Sequence, residues 1–253
     1  MTDATYPSLR DAVVLVTGGA TGIGAAIVRA FAGQGARVGF VDFDEAAAAD
    51  LVAELDGGGA TIRFAAADLR EIDELKGAFA ALDAQLGPAE VLVNNAARDD
   101  RHGWEDVTPA YYDERIATNL RHMFFAIQAV APAMIAAGKG AIVNMGSNSW
   151  WEAVGGMPVY TTAKSAVHGM TRAFARDLGR HRIRVNTVVP GWVMTERQQQ
   201  LWVTPEALER HLGKQCLPDP IAPVDVARMV LFLASDDAAM CTANNYMVEA
   251  GSI

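Results

Sequence analysis

Cysteine is scarce. Cys216 and Cys241 are the two in 253 residues, too few for a disulfide framework and in keeping with a reducing compartment. Each reads as a small buried hydrophobe. Positive charge is also short: 21 Lys and Arg face 30 Asp and Glu, a net charge of −9. That balance argues against a nucleic-acid or anionic-membrane surface, both of which attract basic proteins. No apolar stretch approaches the length expected of a bilayer span. MTDATYPSLR lacks the basic region and apolar run of a secretory signal. His102, His122 and His168 show no metal-ligand spacing with a second His, Cys or carboxylate, so no metal is expected. The expectation is an acidic, soluble, cytoplasmic protein without nucleic-acid or membrane partners.

What the chain does have is alternation. VVLVT (Val13 to Thr17) reads as a buried strand, followed by a turn and a helix with Ile23, Ile27 and Phe31 on one face and Gly35 as its stop. RVGFV is a second strand and EAAAADLVAEL a second helix. TIRFAAA, a helix through Phe79 and Leu86, and VLV continue the pattern. The spacing then predicts one long helix from about Tyr111 to Ala136, a strand AIVNM, a helix from YTTAK to about Gly179 and a strand RVNTVV. A helix near Asp225 to Ala234 and a short strand around Tyr246 to Val248 close the chain. Strand and helix alternating in this way predict an α/β fold over residues 1–253. It is a single doubly wound Rossmann-type domain, with a parallel sheet and helices on both faces. The segment Gly191 to Pro220 departs from the pattern: it is polar, carries Pro205, Pro218 and Pro220, and reads as an insert able to cover a site beyond the strand ends.

Three local patterns carry chemistry. TGGATGIG joins the first strand directly to the first helix; Gly18, Gly22 and Gly24 permit a tight turn and close approach of a phosphate to backbone N–H groups at a helix N-terminus. A ligand-free glycine turn is the plainer alternative. Asp42 ends the second strand eighteen residues after Gly24. An acid there suits the two adenosine ribose hydroxyls and repels a 2′-phosphate, which points to NAD rather than NADP; a solvated strand-end carboxylate is the alternative. Asp68, after the third strand, is a further candidate for the adenine edge. Tyr160 and Lys164, four residues apart, share a helix face, where an ammonium favours the phenolate. Alternatively, the lysine stem merely covers the ring.

Together with NNAA (Asn94 to Ala97), VNMGS and PGWVMT, these residues resemble the short-chain dehydrogenase/reductase family across essentially the whole chain. The glycine spacing matches its TGxxxGxG. The resemblance implies NAD-dependent hydride transfer, with Tyr160 as general base. Lys164 and the positive nicotinamide would lower its pKa, Ser147 would position the substrate oxygen, and Asn119 would anchor relay water. Ser149 is a nearby competitor for Ser147, whose other reading is a capping hydroxyl. Cofactor contacts are implied at Gly18, Thr21, Gly22, Ile23, Gly24, Asp42, Asp68, Leu69, Asn95, Tyr160, Lys164, Pro190, Gly191, Val193 and Thr195. Two departures stand out: Ala97 replaces the usual glycine of NNAG, leaving the local backbone angle open, and EAGSI replaces the common DGG, which is expected to affect packing alone.

NNAARDDRH, DERIATNLRHM, GSNSW, RQQQLWVTPE and LFLASDDAAMCT resemble a bacterial branch of aldose 1-dehydrogenases, which oxidise a sugar's C1 hydroxyl to a lactone. Arg98 and Trp151 depart from that branch. The residues expected to supply a sugar pocket are Ser147, Asn148, Trp192 and Gln198, with Trp150, Trp151, Arg197 and Trp202 in the wider pool; for each tryptophan, core or lid packing is the alternative. Asp99, Asp100, Arg101 and His102 read as a solvated or subunit-contact charged loop. Other alcohols, 3-oxoacyl or steroid-like, are the rival substrates, and a non-catalytic cofactor-binding module is the rival class. Surplus apolar surface on the two long helices, which this family pairs between subunits, points to a homodimer or homotetramer.

Overall fold

The computed structural model describes residues 4–56 and 60–252. Residues 1–3, which open the segment read against a signal sequence, and 253, the last of EAGSI, lie outside the described residues, as do 57–59. Seven described strands form one sheet: β1 (Val13–Thr17), β2 (Arg37–Asp42), β3 (Thr61–Ala66), β4 (Val91–Asn94), β5 (Gly140–Met145), β6 (Ile183–Pro190) and β7 (Asn245–Val248). Their order is β3-β2-β1-β4-β5-β6-β7 and every pairing is parallel. The chain first winds outward to β3, then returns to β4 beside β1. This reversal opens a crevice at the carboxyl ends of β1 and β4, where doubly wound sheets bind ligands.

The central strands β1 and β4 are apolar, buried runs because helices cover both faces, whereas the edge strands β3 and β7 are only partly buried. Helices α1 (Gly22–Gly33), α2 (Glu45–Asp56) and α9 (Pro223–Ala234) pack on one face, where Ile27, Phe31 and Val230 meet Val14, Val16 and Phe40. On the other face, α3 (Ile72–Leu86), α5 (His122–Ala137) and α6 (Pro158–Leu178) bring Leu82, Ile127 and Leu178 against Leu15, Leu92 and Val185. Along β1, Val14 and Val16 face one core and Leu15 the other, the period-2 alternation of a strand.

The expected long helix is three pieces. The first is α4 (Pro109–Ile116), the second a π-helical turn over Ala117–Arg121, and the third α5. Pro109 sits at the start, where its missing N–H costs nothing, and the Thr108 hydroxyl caps Tyr111. The continuous span Pro109–Ala137 is long and apolar enough to cross a membrane, contrary to the reading of the sequence. Its face carrying Met123, Ile127, Val130 and Met134 lies in the protein core.

A buried polar strut crosses beneath the crevice. The Asn94 amide donates to Asn144 Oδ1 at 2.8 Å, Asn144 donates to Thr171 Oγ1 at 2.9 Å, and the Thr171 and Thr187 hydroxyls pair at 2.8 Å. It ties β4, β5 and β6 to α6, with every polar side chain buried.

The insert holds two short helices, α7 (Glu196–Leu201) and α8 (Pro205–Leu212), capped by the Thr195 and Thr204 hydroxyls. Its tail is tethered: the Cys216 and Leu217 N–H groups both donate to the Ala250 carbonyl at 3.0 Å. Ala250 has φ +59°, the left-handed region that favours glycine. The EAGSI departure therefore strains the backbone as well as altering packing. Ala97, by contrast, is absent from the positive-φ residues, so its methyl group needs no unusual backbone.

Candidate active site

A single cleft of about 1190 Å³ runs across the carboxyl ends of the strands, and all fifteen residues expected to touch the cofactor line it. At one end the glycine turn packs tightly. Gly18 has φ +67°, and a Cβ there would sit 2.7 Å from the Ala96 Cα; a Cβ on Gly24 would lie 1.8 Å from the Gly18 carbonyl oxygen. Side chains at these points would break the turn. Asn95 braces it, donating to the Gly18 carbonyl at 2.7 Å and the Thr17 carbonyl at 3.1 Å. The N-terminus of α1 thus opens onto the cleft through Gly22 and Gly24, with Thr195 alongside, a cradle that fits a pyrophosphate.

Asp42 is 8% exposed. Its Oδ2 accepts from Ala20 N–H at 2.9 Å, and its Oδ1 accepts from Phe43 and Asp44 N–H at 2.8 and 3.2 Å. The carboxylate therefore knits β2 to the glycine turn while lining the cleft. Phe43, exposed and unnoticed in the sequence, lies beside it. Asp68 also lines the cleft, but its carboxylate is paired with Arg70 at 2.5 Å, which holds its pKa below the ordinary value.

At the other end, Lys164 is 1% exposed and donates to the Met145 carbonyl at 2.7 Å. Burial pulls its pKa down to about 7, partly opposed by Asp99. Its Nζ lies 5.8 Å from the centre of the Tyr160 ring. Burial, reinforced by Asp99, pushes the Tyr160 phenol up to about 12, while Ser147 and Arg101 pull it back. Lys164 is thus not what moves the phenol here; its own burial disfavours the charge that would do so. Ser147 accepts from Ser149 N–H at 3.1 Å and its hydroxyl donates to Ser149 Oγ at 3.0 Å, so the two serines form one unit. Asn119 is fully buried and does not line the cleft. Its Oδ1 accepts from Arg98 N–H at 2.8 Å and its Nδ2 donates to the Arg115 carbonyl at 3.0 Å, pinning the loop after β4 to the π turn.

Beyond Tyr160, the wall is formed by Asn148, Asp99, Arg101, Trp192, Gln198 and Trp202. The Trp192 indole donates to Gln198 Oε1 at 2.9 Å, and Gln198 Nε2 donates to Asp99 Oδ2 at 2.9 Å. A family model described as Enoyl-(Acyl carrier protein) reductase matches residues 18–252. D-xylose 1-dehydrogenase of Caulobacter vibrioides is 48% identical over 251 residues, 99% of either chain. A Rhizobium meliloti protein named "Probable galactose dehydrogenase" is 45% identical over 97% of this chain and 96% of its own. The crystal structure of a 3-oxoacyl-[acyl-carrier protein] reductase with bound NAD from Brucella melitensis is similar with a TM-score of 0.89 at 30% identity, covering 100% of this chain and 97% of that one. The chain belongs to the short-chain dehydrogenase/reductase family.

Two expectations about this dehydrogenase's substrate end need correction. Trp150 and Trp151 do not line the cleft. Trp150 donates to His168 Nε2 at 2.8 Å and stacks edge-on with His168 and Trp151, while Trp151 is 65% exposed. The charged loop after β4 is also not merely solvated. Asp99 and Arg101 face the cleft, and Asp100 accepts from Arg115 and Arg197 at 2.5 Å each, with Arg98 at 3.6 Å. Asp100 thereby joins the loop to both the π-turn helix and α7, and it neutralises guanidinium groups that would otherwise attract anions. His102 staples the loop down: its Nδ1 meets the Asp100 carbonyl at 2.9 Å and its Nε2 accepts from Val159 N–H at 3.3 Å. Among the described residues no cluster of three or more His, Cys, Asp or Glu side chains could hold a metal ion.

Proposed function

We propose that this dehydrogenase oxidises a free aldose at C1, converting the ring hemiacetal to a lactone, with NAD in preference to NADP. The observation carrying this reading is a cleft lining that joins Asp99, Arg101 and Gln198 to the indoles of Trp192 and Trp202 by direct contacts, with Asn148 in the same lining. A pyranose presents hydroxyls at its rim and C–H groups on its faces, and polar groups mixed with aromatic rings match both. An acyl or steroid substrate would need a continuous apolar wall there. The full-length relatives named for D-xylose and galactose support the same substrate class.

NAD, when bound, supplies the hydride acceptor. The chain's own residues manage the proton and the geometry. Tyr160 takes the proton of the C1 hydroxyl through its phenolic oxygen, and Ser147, fixed by Ser149, orients that hydroxyl. Lys164, held by the Met145 carbonyl, would bind the nicotinamide ribose. Asn119 is a positioning residue that fixes the loop carrying Arg98 to Arg101. Asp42 would accept from the ribose hydroxyls, and with Asp44 beside it the rim carries negative charge where a 2′-phosphate would lie. We infer further that the enzyme is a homo-oligomer, because Phe124 and Ile135 on α5 stay exposed and Phe124 packs on Phe174 of α6, extending an apolar patch across both helices. Light scattering on the purified protein reads the assembly directly.

Absorbance of NADH, followed with NAD+ and a panel of pentoses and hexoses, tests the substrate. Activity on at least one aldose, weaker with NADP+, is expected. Silence across the panel from protein that still binds NAD+ would discard the aldose reading.

A further inference from the structure

Most charged side chains around the cleft are already satisfied. Arg98, Arg115 and Arg197 converge on Asp100, Arg70 bridges Asp68 and Glu114, and Lys164 is held by a carbonyl. The pair formed by Asp99 and Arg101 differs. Its N···O distance is 3.8 Å, whereas a charge-assisted hydrogen bond closes to about 2.7–2.9 Å. Each partner is held from elsewhere. Gln198 of α7 donates to Asp99 Oδ2 at 2.9 Å. The Arg101 guanidinium lies over the Trp202 ring, 5.4 Å from its centre, and its Nη1 meets the Met157 sulfur. Asp99 Oδ1 has no hydrogen-bond partner among the contacts described for it, so an acceptor and a donor stand side by side on the cleft wall without closing on each other.

A hydroxyl group is the chemical entity that such an open pair reads: it donates its hydrogen to the carboxylate and accepts from the guanidinium through its lone pairs. We propose that Asp99 and Arg101 jointly recognise one ring hydroxyl of the sugar other than the reacting one, and so set substrate specificity. This rests on the aldose reading above. The pair shares the cleft lining with Tyr160 and Lys164, and its contacts run to Gln198, Trp202 and Met157, which line the same cleft. Its two anchors on the polar insert, Gln198 and Trp202, let the insert align the pair. An apolar alcohol would leave the pair desolvated and unanswered, and a site built to bond a hydroxyl rejects the analogue that lacks it.

The test crosses deletion of the residue with deletion of the hydroxyl. Wild-type enzyme and Asp99→Asn are assayed for kcat/KM on the best aldose and on its 2-, 3- and 4-deoxy analogues. Wild type is expected to discriminate against one analogue by about 100-fold, the usual worth of a hydrogen bond to a charged group. Asp99→Asn is expected to reduce that discrimination to less than about 5-fold at the same position while leaving the other analogues' ratios unchanged. The effect of the lost charge on Tyr160 is common to every substrate and cancels in the ratio. Measured NAD+ binding shows that the variant is folded; if Asp99→Asn fails to fold, Arg101→Gln carries the same cycle. Equal discrimination by wild type and variant at every position would overturn the proposal while leaving aldose oxidation standing. Wild type inactive on every aldose would instead remove the reading on which the proposal rests.

Discussion

Replacing Asp42 with alanine should damage two properties at once, and the structure separates them. The buried carboxylate accepts three backbone N–H groups, from Ala20, Phe43 and Asp44. Phe43 and Asp44 lie at the open end of β2, where water can replace the carboxylate. Ala20 is buried within the glycine turn and would lose its acceptor. An unsatisfied buried donor costs about 1–3 kcal/mol, and for a chain of this size about 1 kcal/mol moves Tm by roughly 2–4 °C. Asp42→Ala should therefore melt about 6 °C below wild type, taking the middle of both ranges. The cofactor effect is distinct. Hydrogen bonds from ribose hydroxyls to a charged acceptor are worth about 1.5–3 kcal/mol, so kcat/KM with NAD+ should fall roughly 10- to 100-fold. With NADP+ it should rise, because the charge opposing the 2′-phosphate is gone. The assay is the ratio of kcat/KM for NAD+ and NADP+ on one sugar, alongside a thermal melt. A lowered Tm with an unchanged cofactor ratio would show that Asp42 serves the turn alone and has no part in cofactor choice.

Tyr160→Phe should lower kcat/KM by about 10³-fold with NAD+ affinity kept; in wild type the rate of oxidation should climb with pH above neutrality, because the phenol stands near 12, and a profile flat from pH 7 to 10 would contradict that. Burial depresses His122 to about 3, so the unfolded chain binds a proton that the folded one refuses. Stability is full above about 6.5 and falls with pH, by about 2 kcal/mol at pH 5, and His122→Leu should show a smaller loss between pH 7.5 and 5 in urea titrations. Ala250→Gly removes a left-handed alanine whose cost of about 1–2 kcal/mol outweighs the added freedom of an unfolded glycine, so Tm should rise by about 2 °C; a lower Tm would mean that the turn tolerates Cβ.

Central strands were legible because they are buried on both faces and so read as apolar runs bounded by turns, as VVLVT does; the partly exposed edge strands β3 and β7 gave a weaker signal. The glycine turn, Asp42 and the Tyr160–Lys164 spacing were legible because local geometry dictates them. The π turn at Asn119 was not: one extra residue shifts the apolar stripe by less than a helix face is wide, so Ile116, Leu120 and Phe124 still look continuous. Nor could polarity say where the loop after β4 lies, since a carboxylate facing water and one facing a cleft have the same sequence. Sequence alone leaves packing and sugar contact both open for Trp150, because its partner, His168, lies on the next helix and neither residue announces the other. Ala250 concealed its strain because φ is not a property of residue type alone.

The polar strut from Asn94 to Thr187 bears on how such an enzyme can change over time. Thr171 is seven residues beyond Lys164, two helical turns along the same face. Its hydrogen bonds to Asn144 and Thr187 therefore act as a key that stops α6 rotating about its axis, and with it Tyr160 and Lys164. None of these key residues lines the cleft. The loop after β4 and the insert, which line the cleft, are tied to each other and to α4 through Asp99, Asp100 and Asn119. New substrates can thus be acquired by rewriting two peripheral segments while the reacting groups keep their bearing, much as a lathe accepts a new tool without realignment of its spindle.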